Sequence, residues 1–360
     1  MVTVLKDFKI KEGYSKLVRK ALLSYLWDGI YKPMFEIMAI KPLKAKNAKE
    51  ENEPIIKALQ DGDIYYIENK GFKAKNKFNN KISTILERWG AKFNKWESIY
   101  AIPREKIPSD VLVALAENKI LQEQKIKQIQ EYIDETFNNI PYMIDSMVFN
   151  DEVITILDDA GNEVKKNVKR INLIEPELTK KQKEIIAQEY TNNMQFFVKE
   201  WAEDRIAKMR KRVQELVLQG YRADTVEKML IQEFNVAQHK AKFLAENETN
   251  MMLAEYKKVT YQAMGAKKFI WRTITDGKER ELHKELNGTT WSYDNPPVID
   301  DRTLQRGLPG ETYNCRCQAQ PIFDEDLTMH NQISEKQSIE RINNYIQEYK
   351  SRQEARRKEN

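Results

Sequence analysis

Residues 179–220 read TKKQKEIIAQEYTNNMQFFVKEWAEDRIAKMRKRVQELVLQG, and this stretch decides the fold class. Ile185, Ile186, Tyr190, Phe197, Trp201, Ile206, Met209, Val213 and Leu216 recur at helical spacing, which predicts one long helix. Thr179 and Gln182 fit a capping box, in which each side chain satisfies the other's free backbone N–H. Gly220 supplies the stop. Downstream, Asp224 with Glu227 predicts a second box and a short helix through Phe234. A third helix is expected from about Val236 to Met264, ending at Gly265.

Composition points the same way. The 360 residues include only 12 Gly and 11 Pro, while Lys, Glu, Gln, Ile and Leu dominate. With 41% hydrophobic residues there is material for real cores, which argues against wholesale disorder. The expected class is α+β, predominantly α-helical, in several modules. No apolar run approaches the ~20 residues of a membrane span. The first residues, MVTVLKDFKIKEGYSK, lack the apolar core of a secretory signal. Both cysteines sit in one C-x-C, which excludes a disulfide framework and suits a reducing cytoplasm.

Upstream, the spacing of Leu17, Ala21, Leu22 and Tyr25 predicts a helix over 14–40, kinked or restarted at Pro33. The charged stretch 41–54 reads as a linker, completing an N-terminal region 1–61. Residues 62–104 read as a small β-β-α-β-β module, with its helix at about 77–89 and Gly90 as the stop. Residues 105–178 read as a helix over 109–138, capped by Ser109 or Asp110, followed by a β-hairpin. The hairpin strands are Val153–Leu157 and Val164–Val168, around the turn signal DDAGN. A helical region 179–265, a C-terminal α+β module 266–325 and a polar helical tail 326–360 complete the chain. The tail's thin stripe of Ile339, Ile342, Ile346 and Tyr349 is either lightly packed or awaits a partner helix.

The chemistry concentrates in 266–323. Strand Phe269–Thr275 leads through Asp276-Gly277 to two helical turns, Arg280 to Leu286, closed by Asn287-Gly288. Leu282 and Leu286 are expected to face the core, with Arg280 and His283 together on the neighbouring face. A loop then returns to Asn314-Cys315-Arg316-Cys317 and a strand containing Pro321. His283, Cys315 and Cys317 are natural ligands for a structural zinc, and Asp276 offers a fourth. Against this, the C-x-C spacing is not by itself a strong zinc signature. Alternatives are two small cysteines packed under the loop, with His283 and Arg280 bonding its carbonyls, or a Cys/His nucleophile pair. His239 and His330 read as ordinary surface or boundary residues on helices. No phosphate loop, dinucleotide fingerprint, H-E-x-x-H or G-x-S-x-G is present.

The net charge of +5 is unevenly spread: residues 1–100 hold 20 Lys/Arg against 12 Asp/Glu. That excess suits nucleic acid, an acidic partner or merely a solvated surface. The mixture Phe72, Lys73, Lys75, Lys77 and Phe78 could touch a nucleic-acid backbone or be the wet side of the small module.

Residues 245–323 resemble the C-terminal domain of the Mu F-like head morphogenesis family, the minor head proteins of tailed bacteriophages. The resemblance rests on Ala245 with Glu248-Thr249, Gly265, Trp271 with Thr273, and Asp276 with Arg280 and His283. It continues through Leu286 with Gly288, Pro309-Gly310, Asn314-Cys315-Arg316-Cys317 and Pro321, in order and at matching spacing. Glu246 and Lys278 stand where the family pattern has Arg. The stretch 72–103 is similar to a small domain found upstream in such proteins. The resemblance implies a non-enzymatic virion protein, made in the host cytoplasm and placed in the phage head near the portal. Its implied partners are the portal, other head or scaffold proteins and, transiently, DNA. Its implied role is in procapsid assembly, DNA packaging or DNA delivery. Two other readings stand beside it: an ADP-ribosyltransferase-like enzyme or toxin domain, for which Glu248 is the one nameable acid, and a metal-stabilised nucleic-acid-binding protein.

Overall fold

Long helices and short antiparallel strands account for the regular structure, which is 65% helical. The structure is a computed structural model that describes residues 2–8, 10–40, 49–171, 173, 177–218, 223–324 and 335–359. The first elements are β1 (Val2–Val4), α1 (Glu12–Leu26) and, after a π-helical turn at Trp27–Tyr31, α2 (Lys32–Ala39). Then come α3 (Glu53–Gln60), β2 (Ile64–Ile67), β3 (Gly71–Ala74), α4 (Asn80–Arg88), β4 (Lys92–Asn94) and β5 (Ile99–Ala101). Four helices follow: α5 (Ser109–Asp145), α6 (Asn150–Val168), α7 (Lys180–Leu218) and α8 (Ala223–Ala263). The last part holds β6 (Lys268–Arg272), α9 (Glu281–Leu286), β7 (Thr290–Ser292), β8 (Val298–Asp300), β9 (Gln305–Arg306), β10 (Gln318–Asp324) and α10 (Glu335–Glu359).

The local signals explain several boundaries. Thr179 N–H donates to Gln182 Oε1 at 2.8 Å and Gln182 N–H to Thr179 Oγ1 at 3.3 Å, the reciprocal capping box. At the end of α8, Ala266 N–H reaches Tyr261 O and Gly265 N–H reaches Gln262 O, both at 2.9 Å, the paired bonds of a Schellman stop. Pro33 follows closely on the π-helical turn at Trp27–Tyr31, in backbone that stays helical from α1 into α2, so the irregular turn and the proline fall together.

Two expectations are corrected. Residues 150–168 form α6, not a β-hairpin. Val153, Ile156, Leu157, Ala160, Val164 and Val168 are buried at steps of three and four, so packing of one helical face overrides the Gly161-Asn162 turn signal. Nor does the chain break between Phe234 and Val236: α8 is continuous there, since no Gly or Pro interrupts it. Residues 41–48 of the expected linker 41–54, the stop at Gly220, the Asp224 cap and His330 lie outside the described residues or side chains, while Glu53 and Pro54 of that stretch already open α3.

The chain divides into two units, each assembled from separate segments. One holds residues 30–137 and 206–233. Its antiparallel sheet has the order β2-β3-β5-β4. Ile55, Phe72, Leu86 and Val111 form its dry centre. Phe72 is fully buried, so it belongs to this core and not to a basic outer face. Phe78 likewise packs edge-on against Tyr100 at 5.0 Å.

The other unit holds residues 1–29, 138–205 and 234–360. Its sheet has the order β1-β10-β6-β7, all antiparallel. The extreme N-terminal strand thus completes the C-terminal sheet, with Thr3 opposite Phe323. Phe269, Trp271 and Phe323 are fully buried, and Phe323 meets Tyr261 of α8 edge-on. Beneath β1, buried Asp7 accepts from Lys257 Nζ at 2.6 Å and from Tyr261 Oη at 2.8 Å. Burial raises the Asp7 carboxyl above its ordinary value, against the pull of Lys257. Helix α10 docks its stripe within this unit: Ile342, Ile346 and Tyr349 are buried.

Candidate functional site

The site is built from the loops around β6 and β10. Strand β6 alternates, burying Phe269 and Trp271 while Lys268 and Arg272 face out. After Trp271 the chain turns into α9, whose buried residues are His283 and Leu286. His283, rather than Leu282, therefore shares the inward face with Leu286. Arg280 precedes the first turn as the cap residue and is exposed. Thr273 Oγ1 donates to His283 O at 2.7 Å, and Gly288 N–H, just past the end of α9, donates to Trp271 O at 2.8 Å. These bonds fix α9 against β6.

The returning loop is shaped by two turns. Glu311 N–H donates to Leu308 O across Pro309-Gly310, and Gly310 has φ +99°. A Cβ there would stand 3.0 Å from Ala254 Cβ, so glycine meets both the dihedral and the close approach to α8. Cys315 N–H donates to Thr312 O around Asn314, which adopts φ +55°, a region Asn tolerates. Arg280 Nη2 donates to Tyr313 O at 2.6 Å, and Arg316 grips Asp276 with two bonds of 2.6 and 3.0 Å. That grip holds the Asp276 carboxyl below its ordinary value.

The consequence is a cluster. His283 Nδ1 lies 3.6 Å from Cys315 Sγ and 3.6 Å from Cys317 Sγ. The three ligand-type atoms all lie within 4.8 Å of one another, and all three residues are buried. Cys315 and Cys317 stand two residues apart, so extended backbone points both sulfurs to one side, and the loop ahead of β10 brings that side against His283. His283 Nε2 faces Ile299 O at 3.1 Å; a carbonyl only accepts, so Nε2 carries the proton and Nδ1 presents its lone pair to the sulfurs. Trp271 packs edge-on against the imidazole at 5.3 Å. The hydrogen bond from Cys317 brings the Cys315 thiol down to about 7, against its burial, with help from Gly310 N–H. The Cys317 thiol is pushed up, first because its proton is held by Cys315 and then by burial.

Asp276 is engaged by Arg316 and does not join the sulfurs. Glu248 lies elsewhere, buried on α8 and bound by Arg356 of α10. His239 is exposed. The sequence reading missed Glu279. It lines a cavity of about 180 Å³ together with Thr273, Arg280, His283, Cys315 and Cys317. Its Oε2 is buried with no hydrogen-bond partner among the described residues. Only its place beside Arg280 in sequence could have signalled this.

A long helix closed by a small antiparallel module, with loops converging on a buried Cys-His-Cys cluster, defines a compact α+β terminal domain. Residues 207–320, about a third of the chain, match the family described as Phage Mu protein F like protein. The match bears out the resemblance read from the motif. An uncharacterized protein of Haemophilus influenzae is 28% identical over 119 residues, which span 32% of this chain and 25% of that protein. No solved structure matches the chain.

Proposed function

We propose that this protein is a phage minor head protein that works by binding. It joins the assembling head near the portal and assists procapsid assembly, DNA packaging or DNA delivery. The observation that carries this reading is the match over 207–320, in which the motif residues Asp276, Arg280, His283, Gly288 and Asn314–Cys317 are tied into one folded module. In this reading the motif builds a rigid docking domain. The fate of Glu248 supports binding over transfer chemistry: a catalytic acid must face a substrate, and both Glu248 oxygens are held by Arg356. No helix among the described residues is long and apolar enough to cross a membrane. The partners proposed are the portal and other head or scaffold proteins.

A second observation favours a transient DNA contact. Lys70, Lys92, Arg104 and Lys106 line one cavity of about 570 Å³ in the β2-β3-β5-β4 module, with Glu105 as its one acid. Such a basic concavity suits a phosphate backbone without reading sequence.

The test is co-expression with a portal protein from the same genome, followed by affinity capture. Retention of portal at a fixed ratio after a salt wash is the expected result. Failure to capture portal, together with normal packaging and delivery by particles assembled without this protein, would overturn the reading.

A further inference from the structure

We propose that His283 Nδ1, Cys315 Sγ and Cys317 Sγ bind one structural zinc ion, with the Glu279 carboxylate closing the site. The inference is independent of the phage-head reading.

The distances carry the first part of the argument. Zinc bonds sulfur at about 2.3 Å and imidazole nitrogen at about 2.0–2.1 Å in a tetrahedron, so the N···S edge of such a site is about 3.5–3.6 Å. Both N···S separations here are 3.6 Å. The same separation is poor for two thiols sharing one nitrogen. Nδ1 has a single lone pair and accepts only one S–H; the alternatives left to Cys317 are Cys315 and a long 3.8 Å contact to Thr273 Oγ1. A cation at the centre satisfies all three atoms at once.

The surroundings carry the second part. A metal-bound imidazole characteristically donates its other N–H to a carbonyl, and His283 Nε2 donates to Ile299 O. A bound thiolate takes hydrogen bonds from backbone amides, and Gly310 N–H reaches Cys315 Sγ at 3.3 Å. Two thiolates and a carboxylate would exceed the charge of one zinc ion. Arg280 lines the same cavity, makes its hydrogen bond to a neutral carbonyl, and so offsets that excess. Two soft sulfurs exclude calcium and magnesium, and a tetrahedral S₂N set selects zinc.

Glu279 completes the set. It borders the same cavity and its buried Oε2 has no partner among the described residues, but it stands outside the 4.8 Å group of the other three, so its side chain would swing in to meet the ion. With four protein ligands the site is closed, as structural zinc sites are, and pins the Asn314–Cys317 loop to α9.

The experiment uses the full chain, purified reduced and without chelator. Elemental analysis is expected to give one zinc per chain. After chelation, cobalt(II) added to the same protein should give the visible bands of tetrahedral cobalt and a sulfur-to-metal charge-transfer band. Both cysteines should resist alkylation until the metal is removed. C317S should lose the charge-transfer intensity of one sulfur. E279Q leaves both sulfurs and the imidazole in place and should weaken zinc binding by about tenfold or more. Wild-type protein that carries no zinc and gives no tetrahedral cobalt spectrum overturns the site. Zinc binding unchanged in E279Q overturns the role of Glu279.

Discussion

Arg356 and Glu248 stand 108 positions apart in sequence and meet through two parallel hydrogen bonds of 2.7 and 2.8 Å. The guanidinium also lies over the Phe197 ring at 4.7 Å. The pair is one rung of a ladder: Arg357 reaches Glu189 at 2.9 Å, and Arg352 pairs with Glu255. A helix that looks solvent-borne in sequence is therefore fastened by its basic residues to buried acids. R356A would leave Glu248 buried and unpaired, and should cost about 3–5 kcal/mol in urea unfolding. Replacing the pair together, as E248Q with R356M, should cost clearly less than R356A alone.

Glu255 gives the fold a pH dependence. Burial raises its carboxyl from 4.5 to about 7, with Glu311 adding repulsion while Lys258 and Arg352 oppose. A folded pKa above the unfolded one means that the protonated form stabilises the fold. That contribution is complete below about pH 4.5 and is lost as the pH rises through about 7. The stability of E255Q relative to wild type should therefore improve between pH 5 and pH 8. Equal shifts in both proteins across that range would contradict the assignment.

The capping box makes a local prediction. T179A removes the acceptor of Gln182 N–H and should lower stability by about 1 kcal/mol, within the usual range for cap deletions. Thermal melts of the two proteins, compared by circular dichroism at 222 nm as the usual helix band, would show it as a small drop in Tm without loss of helix content.

Sequence periodicity made the helices and the small β-β-α-β-β module legible because each carries its own stop, as at Gly90 and Gly265. It failed at 150–168, where VITIL fits a two-residue and a helical period equally well and only tertiary burial decides. Strand β1 was invisible, because three residues acquire strand character only from β10, over 300 positions away. At the site, residue types named the cluster of His283, Cys315 and Cys317. The two-residue spacing already points both sulfurs one way; that this side meets His283, more than 30 positions earlier, is set by the tertiary fold, which no spacing rule encodes. Glu279 stayed hidden because one Glu among many exposed acids carries no pattern.

The DNA contact proposed for the basic cavity predicts a response to salt. Lys92 and Lys106 form no ion pair among the described residues, whereas Arg104 is paired with Glu68 and Lys70 with Glu97. Binding to duplexes of unrelated sequence should be equal and should fall steeply with salt, by about 0.9 in the log–log slope per phosphate contact. K92E with K106E should flatten that slope by about two units on the same scale. A slope unchanged by both substitutions would move the contact elsewhere.

The central claim is that this protein is a component of the phage head, and quantitative mass spectrometry of purified particles tests it most directly. Induced lysates would be fractionated into procapsids and filled heads, and peptides of this chain counted against portal and major capsid protein. The account predicts the chain in both fractions, at a copy number comparable to the portal's and far below that of the capsid protein. Its absence from procapsids and filled heads alike, with the protein abundant in the soluble fraction, would contradict the account.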